Sequence, residues 1–146
     1  MSRPSPSALL HDVRHGRFER TLAGLTAAGA VITTLEVYTS HDSASFGNKM
    51  MWWPVVILPT AVPAGAAGVL SARAARTVLP LASALIVANG LQGTYLHVRG
   101  VLQKPGGRAL LGYNLEMGPP VFAPLLASLV GGMGLLASLL RREGEG

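Results

Sequence analysis

Four long stretches of this chain are nearly free of charge, and more polar segments separate them. Their apolar residues form continuous blocks instead of the single stripe of an amphipathic soluble helix. Each block has about the 20 residues that a helix needs to cross a hydrocarbon layer of about 30 Å. Backbone groups find no water in lipid, so each crossing segment must be helical. We predict four transmembrane helices, over residues 18–39, 51–72, 77–98 and 117–140.

The predicted fold is an all-α, integral membrane four-helix bundle. Residues 17–142 form the transmembrane domain, residues 1–16 a cytoplasmic tail or interfacial helix, and residues 143–146 a short C-terminal tail. Small residues recur at four-residue spacing, which lets neighbouring helices approach closely in lipid. These stripes are Ala23/Ala27, Ala64/Gly68/Ala72, Ala84/Ala88, Ala127/Gly131 and Ser128/Gly132. We therefore expect a tight bundle without a wide aqueous pore.

The distribution of Lys and Arg predicts that both termini are cytoplasmic, because cytoplasmic loops carry an excess of these residues. With the N-terminus inside, the inner segments hold Arg3, Arg14, Arg17, Arg20, Arg73, Arg76, Arg141 and Arg142. The outer loops then hold Lys49, Arg99, Lys104 and Arg108. The first twenty residues are too polar for a short signal peptide, so we expect the first apolar block to remain as a signal-anchor helix.

Composition narrows the class of protein further. Charged residues make up only 13% of the chain, about half of what a soluble domain carries. The net charge of +5 does not indicate nucleic-acid binding, because the basic residues form no patch with interleaved aromatics. The absence of cysteine excludes disulfides and thiolate chemistry. Arg far outnumbers Lys, and Ala and Gly are abundant, which indicates a GC-rich bacterial genome. We therefore expect a multi-pass protein of the bacterial inner membrane.

Two ionisable residues are predicted to lie at the same depth, just below the outer surface. Glu36 follows the inner boundary by about 17 residues, or roughly 25 Å of helix. His97 is the second-last residue of the third block and lies at a similar level, and His41 and Glu116 belong to the loops above. An ionisable residue within a span is a functional-site hypothesis by default. We therefore take His97, Glu36 and His41 as candidate cofactor-binding residues.

Several interpretations of this cluster remain open. A His or Glu near the interface suits proton exchange with a quinone oxygen. Haem binding is less favoured, because the axial partner of His97 would have to come from the loop residue His41. Glu116 could complete a mixed metal-ligand set, but no two of these residues stand at helical ligand spacing, so we predict no metal site. The simplest alternative is structural: Glu36 and His97 pair near the headgroups or bond to loop backbone.

Aromatic and polar residues of the outer segments suggest a protein interface, where aromatic side chains are enriched. The predicted interface residues are Trp52, Trp53, Tyr95, Tyr113, Asn114 and Glu116. Trp52 and Trp53 with Tyr38 also fit the aromatic belt of a membrane protein. Asn89, Gly93 and His97 fall on one face of the third helix. We expect this stripe to bond across to Thr33 or Thr34 of the first helix, or to face a partner subunit.

The sequence contains no motif that identifies a reaction, so we predict a non-catalytic membrane subunit. It would anchor or bridge a larger bacterial membrane complex, most plausibly an extracytoplasmic-facing electron-transfer complex with a quinone contact near Glu36 and His97. Its partners would be the lipid bilayer and other subunits, with no nucleic acid. The alternative is a membrane-embedded enzyme or a carrier of haem or metal that uses Glu36, His41 and His97. A third interpretation is a small oligomeric transporter.

Overall fold

The computed structural model describes Ser7, residues 17–140 and Arg142, and these residues form helices and turns without a strand. Apart from Ser7, the predicted N-terminal tail or interfacial helix lies outside the described residues, as does the C-terminal tail at 143–146. Four helical segments are long and apolar enough to cross a membrane, which confirms that part of the prediction. We call them the first to fourth spans: Arg17–Ser43, Lys49–Leu70, Ala72–Leu102 and Phe122–Leu139.

The first span is a single helix, α1 (Arg17–Ser43). Its threonines satisfy their hydroxyls within the helix: Thr33 donates to the Gly29 carbonyl at 2.8 Å and Thr34 to the Ala30 carbonyl at 2.6 Å. The expectation that these hydroxyls bond across to the third helix is therefore wrong. The physical reason is that a threonine in a helix reaches the carbonyl four residues back without any contact between helices.

The second span is interrupted. It consists of a 3₁₀ turn (Lys49–Met51), α2 (Trp52–Ile57), a second 3₁₀ turn (Leu58–Thr60) and α3 (Ala61–Leu70). The second turn contains Pro59, which has no N–H to donate and whose ring would clash with the preceding helical turn. A tighter 3₁₀ turn accommodates this local break. The short 3₁₀ turn at this proline separates α2 from α3.

The third span consists of α4 (Ala72–Arg76) and α5 (Val78–Leu102), which continues four residues past its predicted end. A short helix, α6 (Leu111–Glu116), follows, and the fourth span is α7 (Phe122–Leu139). The predicted start of this last helix, residue 117, is five residues too early. Pro119 and Pro120 lie in the intervening segment. A proline disfavours helical backbone at the residue before it, so this segment does not continue the helix. Pro124 consequently sits in the first turn of α7, where a missing N–H costs little.

Glycines allow close approach where the spans cross. A Cβ at Gly65 in α3 would lie 2.6 Å from the Ala23 carbonyl oxygen of α1. A Cβ at Gly131 in α7 would lie 2.7 Å from the Ser83 carbonyl oxygen of α5. The first span therefore packs directly on the second, and the third directly on the fourth. The first and fourth spans are also in contact, as are the second and third.

A buried ion pair closes the end of the molecule opposite the α1–α2 loop. Arg142 Nε lies 3.1 Å from Glu19 Oε2 of α1, and both side chains are almost completely buried. Arg142 Nη2 also donates to the carbonyls of Gly68 and Val69 at the end of α3, at 2.5 and 2.7 Å. One guanidinium therefore ties the C-terminal segment to the first two spans. The charge pattern of the sequence indicates Arg142 only as an inner surface charge and gives no sign of its pairing with Glu19.

Candidate functional site

A cavity of about 570 Å³ opens near the loop that joins α1 to the second span, and all four spans contribute to its wall. We call it the histidine cavity. The wall combines apolar side chains and glycines with a few polar groups. The polar residues that matter to its chemistry are Glu36 and His41 of α1 and Asn89, Gln92, His97 and Arg99 of α5.

His97 is held in a defined orientation. Its Nδ1 lies 2.7 Å from the carbonyl oxygen of Pro120, in the segment that leads into α7. A carbonyl oxygen only accepts hydrogen bonds, so Nδ1 must carry the proton of this bond. In the neutral ring, Nε2 is then an acceptor, and it has no hydrogen-bond partner among the described residues. The imidazole therefore presents a free lone pair at the wall of the cavity.

The packing of α5 on the fourth span explains why His97 reaches this carbonyl. Gly93 and Gly100 flank His97 by about one helical turn on either side. A Cβ at Gly93 would lie 2.9 Å from Pro124 Cβ, and a Cβ at Gly100 would lie 3.0 Å from Pro119 Cγ. The two glycines bring the backbones close together, and the larger side chain between them reaches the segment before α7.

Glu36 lines the same cavity from α1. Its Oε1 accepts a hydrogen bond of 3.3 Å from Ser40 Oγ, one turn further along the helix. Within residues 17–140, no ion pair joins Glu36 to His97. His97 bonds to loop backbone instead, so the two residues line one cavity as separate groups.

His41 lies in the last turn of α1, beside a cluster of aromatic rings. Its Nδ1 is buried and has no hydrogen-bond partner in the described part of the chain. The ring centroid of Phe46 lies 6.2 Å from that of His41 and 4.1 Å from that of Trp52, on which Phe46 stacks. Ser45 and Phe46 have positive φ values of 56° and 44°, an uncommon conformation for residues other than glycine. The stacked rings hold this turn beside the cavity.

The predicted interface residues divide into two groups. Trp52, Trp53, Tyr95, Tyr113 and Glu116 are exposed, and none of them lines the histidine cavity. Asn114 is 1% exposed, and its side-chain amide donates to the carbonyls of Pro105 and Gly107, each at 3.1 Å. The amide of Asn114 is therefore used to fold the loop between α5 and α6.

Gln92, Arg99 and Gln103 also line the cavity, although they are not among the site residues predicted from the sequence. A signal for them was present, because positions 92, 96, 99 and 103 recur at helical spacing. They follow the face that neighbours the Asn89, Gly93 and His97 stripe. The remaining contributions come from the loop and the start of the second span, and no periodicity along one helix could have indicated them.

The positions of the His, Asp and Glu side chains have different consequences for a metal-ion site and for a haem site. Among the described residues, no three His, Asp or Glu side chains come together as metal ligands would. Glu116 lies at the end of α6 and is not part of the cavity wall. Two imidazoles, those of His41 and His97, do line one cavity. A pair of axial ligands would come from two such rings.

Fold and site together define a small helical protein with four segments able to cross a membrane and a cavity between them that carries two histidines. No protein family, no curated protein and no solved structure matches the chain. The chemistry of the histidine cavity is therefore the basis for a functional proposal.

Proposed function

We propose that this protein is a small subunit of a bacterial inner-membrane electron-transfer complex and that the histidine cavity holds the head group of a quinone. In this proposal, the four spans form a bundle with both termini in the cytoplasm. The cavity then opens toward the outer leaflet.

The observation that carries the proposal is the free acceptor of His97 in a largely apolar cavity. A volume of about 570 Å³ lies within the range of about 300–1,000 Å³ typical of small-molecule sites. Such sites combine mainly apolar walls with a few polar groups that fix the orientation of the ligand. A quinone head group has a ring for the apolar wall, and in its reduced quinol form its two oxygens are hydroxyls, which can donate a hydrogen bond to Nε2. Its isoprenoid tail keeps it in the bilayer beside the spans.

The exposed aromatic residues support the role of a subunit. Trp53, Tyr95 and Tyr113 present more than half of their surface. Tyr and Trp are enriched at protein interfaces because they bury a large area and keep a polar group for hydrogen bonding. A partner on the extracytoplasmic side would carry the redox centre that exchanges electrons with the quinone, and this chain would supply the binding cavity and the anchor.

A second candidate function, haem binding, is favoured by one specific observation. Histidines that bind metals through one ring nitrogen commonly donate the other N–H to a backbone carbonyl, as His97 does to Pro120. With His41 as the second ligand, the chain would be a haem carrier. An absorbance spectrum of the purified protein separates the two candidates, because a Soret band favours haem.

Extraction in a mild detergent, with mass spectrometry of co-purifying proteins and lipids, tests the main proposal. We expect a redox subunit to co-purify, with about one quinone or quinol per chain. His97→Ala should lose most of the quinol, which bonds to Nε2, and impair the complex, whereas Leu139→Ala, a change at an exposed position of α7, should retain both the subunit and the ligand. A self-associated species with no foreign subunit would overturn the proposal and favour the transporter.

A further inference from the structure

We infer that the histidine cavity binds the reduced, hydroxyl-bearing quinol in preference to the oxidised quinone. This inference deepens the proposed function and rests on it. It concerns binding alone: the ligand's hydroxyl group donates a hydrogen bond to His97 Nε2. The reason is a mismatch between the hydrogen-bonding groups of the cavity and those of a quinone.

The role of His97 follows from its bond to the loop. The Pro120 carbonyl accepts the Nδ1 proton, so the neutral ring offers only a lone pair at Nε2. A quinone oxygen is also an acceptor, and placing it against Nε2 would set two lone pairs against each other. A quinol hydroxyl has the proton that completes the bond. The loop therefore determines which oxidation state of the ligand His97 accepts.

The first span adds acceptors of its own. An ionised Glu36 carboxylate only accepts hydrogen bonds, and Ser40 occupies one of its oxygens. Its other oxygen has no partner among the described residues. A quinol has two hydroxyls on opposite sides of its ring. Acceptors on α1 and α5 suit such a donor at each end.

The donors in the wall weigh against this preference only weakly. Arg99 is the one charged donor among the lining residues, and its side chain is exposed. Water competes with any hydrogen bond that such an exposed group makes, which reduces its net contribution. The amides of Asn48, Asn89, Gln92 and Gln103 and the neutral imidazole of His41 can each both donate and accept, so they serve either oxidation state equally.

The expected preference is about tenfold. A net difference of about 1.4 kcal/mol, typical of one hydrogen bond made or left unmade, corresponds to a factor of ten in the dissociation constant.

The experiment measures equilibrium binding to the full chain in lipid nanodiscs under anaerobic conditions. Three ligands share one ring and one decyl tail: a benzoquinol, the corresponding benzoquinone and the dimethyl ether of the quinol, which has no hydroxyl. We expect the quinol to bind about tenfold more tightly than either of the others. This comparison uses the unmodified protein, so it does not depend on how a variant folds.

A variant then assigns the preference to His97. His97→Ala should lower the affinity for the quinol about tenfold and leave the affinities for the quinone and the ether nearly unchanged. Leu139→Ala should retain the wild-type order. If the quinone binds as tightly as the quinol, this inference is overturned and the proposed quinone site stands. If none of the three ligands binds, the proposed function itself is overturned.

Discussion

A single hydrogen bond gives His97 its chemical character. Without the bond to Pro120, either ring nitrogen could carry the proton. His97 could then bond equally well to a donor or to an acceptor of a ligand in the cavity. With the bond, Nδ1 is the donor and Nε2 the acceptor. Asn114 shows how the same reasoning applies to an amide nitrogen. Both of its N–H groups are used by carbonyls of its own loop, so this nitrogen contributes to folding the loop.

At this scale we predict that His97 populates the tautomer protonated at Nδ1. The ¹⁵N chemical shifts of ring-labelled histidine in the purified protein distinguish the two nitrogens and their protonation. In its neutral form, His97 should show a protonated Nδ1 and an unprotonated Nε2. The spectrum of His97→Gln assigns the signal, and a ring protonated at Nε2 alone would contradict the geometry.

Glycines determine how the helices cross, and the crossings determine where the site forms. Gly90 lies against the fourth span: a Cβ there would come within 2.6 Å of the Pro124 carbonyl oxygen and would also overlap Ser128. At Gly132, on α7, a Cβ would have no heavy atom of another residue within 4 Å beyond its own helical turn. Comparing the same substitution at these two helical glycines therefore distinguishes the effect of close packing from the effect of helix propensity.

We predict that Gly90→Ala destabilises the protein, whereas Gly132→Ala leaves it unchanged or slightly stabilised. Overpacking costs about 1–3 kcal/mol, and alanine is intrinsically favoured over glycine in a helix by about 1 kcal/mol. Unfolding of both variants by SDS titration, in the same mixed micelles as the wild type, gives the comparison. Equal free energies of unfolding for the two variants would mean that the α5–α7 crossing tolerates a methyl group.

On the scale of the whole molecule, the Glu19–Arg142 pair joins the two ends of the described chain. Glu19 lies near the start of α1, and Arg142 follows α7. The pair therefore connects the first span to the segment after the fourth span. Arg142 also bonds to carbonyls at the end of α3, which the helix leaves without partners of its own. A buried charge with all these partners is tolerated, but the same charge with one partner removed is costly.

We predict that Arg142→Gln lowers the free energy of unfolding by about 3–5 kcal/mol, because the buried Glu19 carboxylate then loses the ion pair with the Arg142 guanidinium. Glu19→Gln combined with Arg142→Gln should be less destabilising than the sum of the two single changes, since the residues act as one unit. Arg73→Gln, at an exposed position of α4, is the control and should have little effect. Additive losses in the double variant would show that the two side chains are independent.

The proposed orientation makes a prediction of its own. The chain has no cysteine, so any cysteine introduced is the only site of labelling. In intact spheroplasts, Ala44→Cys and Ala109→Cys should react with a membrane-impermeant maleimide, and Ser71→Cys should react only after lysis. All three positions are exposed. Labelling of Ser71→Cys in intact cells would reverse the topology and place the histidine cavity on the inner side.

The sequence by itself determined the helical class and the approximate positions of the four spans. Whether a segment of about 20 residues prefers lipid depends on its own summed transfer free energy, and neighbouring helices change that sum little. The ends of the spans were less predictable. The fourth helix starts at Phe122 because of local proline geometry, and α5 continues to Leu102, beyond the apolar block that predicted it.

Only the tertiary structure decided which polar groups meet. His97 bonds to a carbonyl 23 residues away, and Arg142 bonds to carbonyls more than 70 residues away. Such pairings depend on how each helix is rotated about its axis and where it crosses its neighbours. Glycine contacts between helices determine both the rotation of each helix and its crossing point. The sequence shows where those glycines are, but not which residues of the neighbouring helix they contact. Depth along one helix is a local property, whereas a shared cavity is a property of the packed chain.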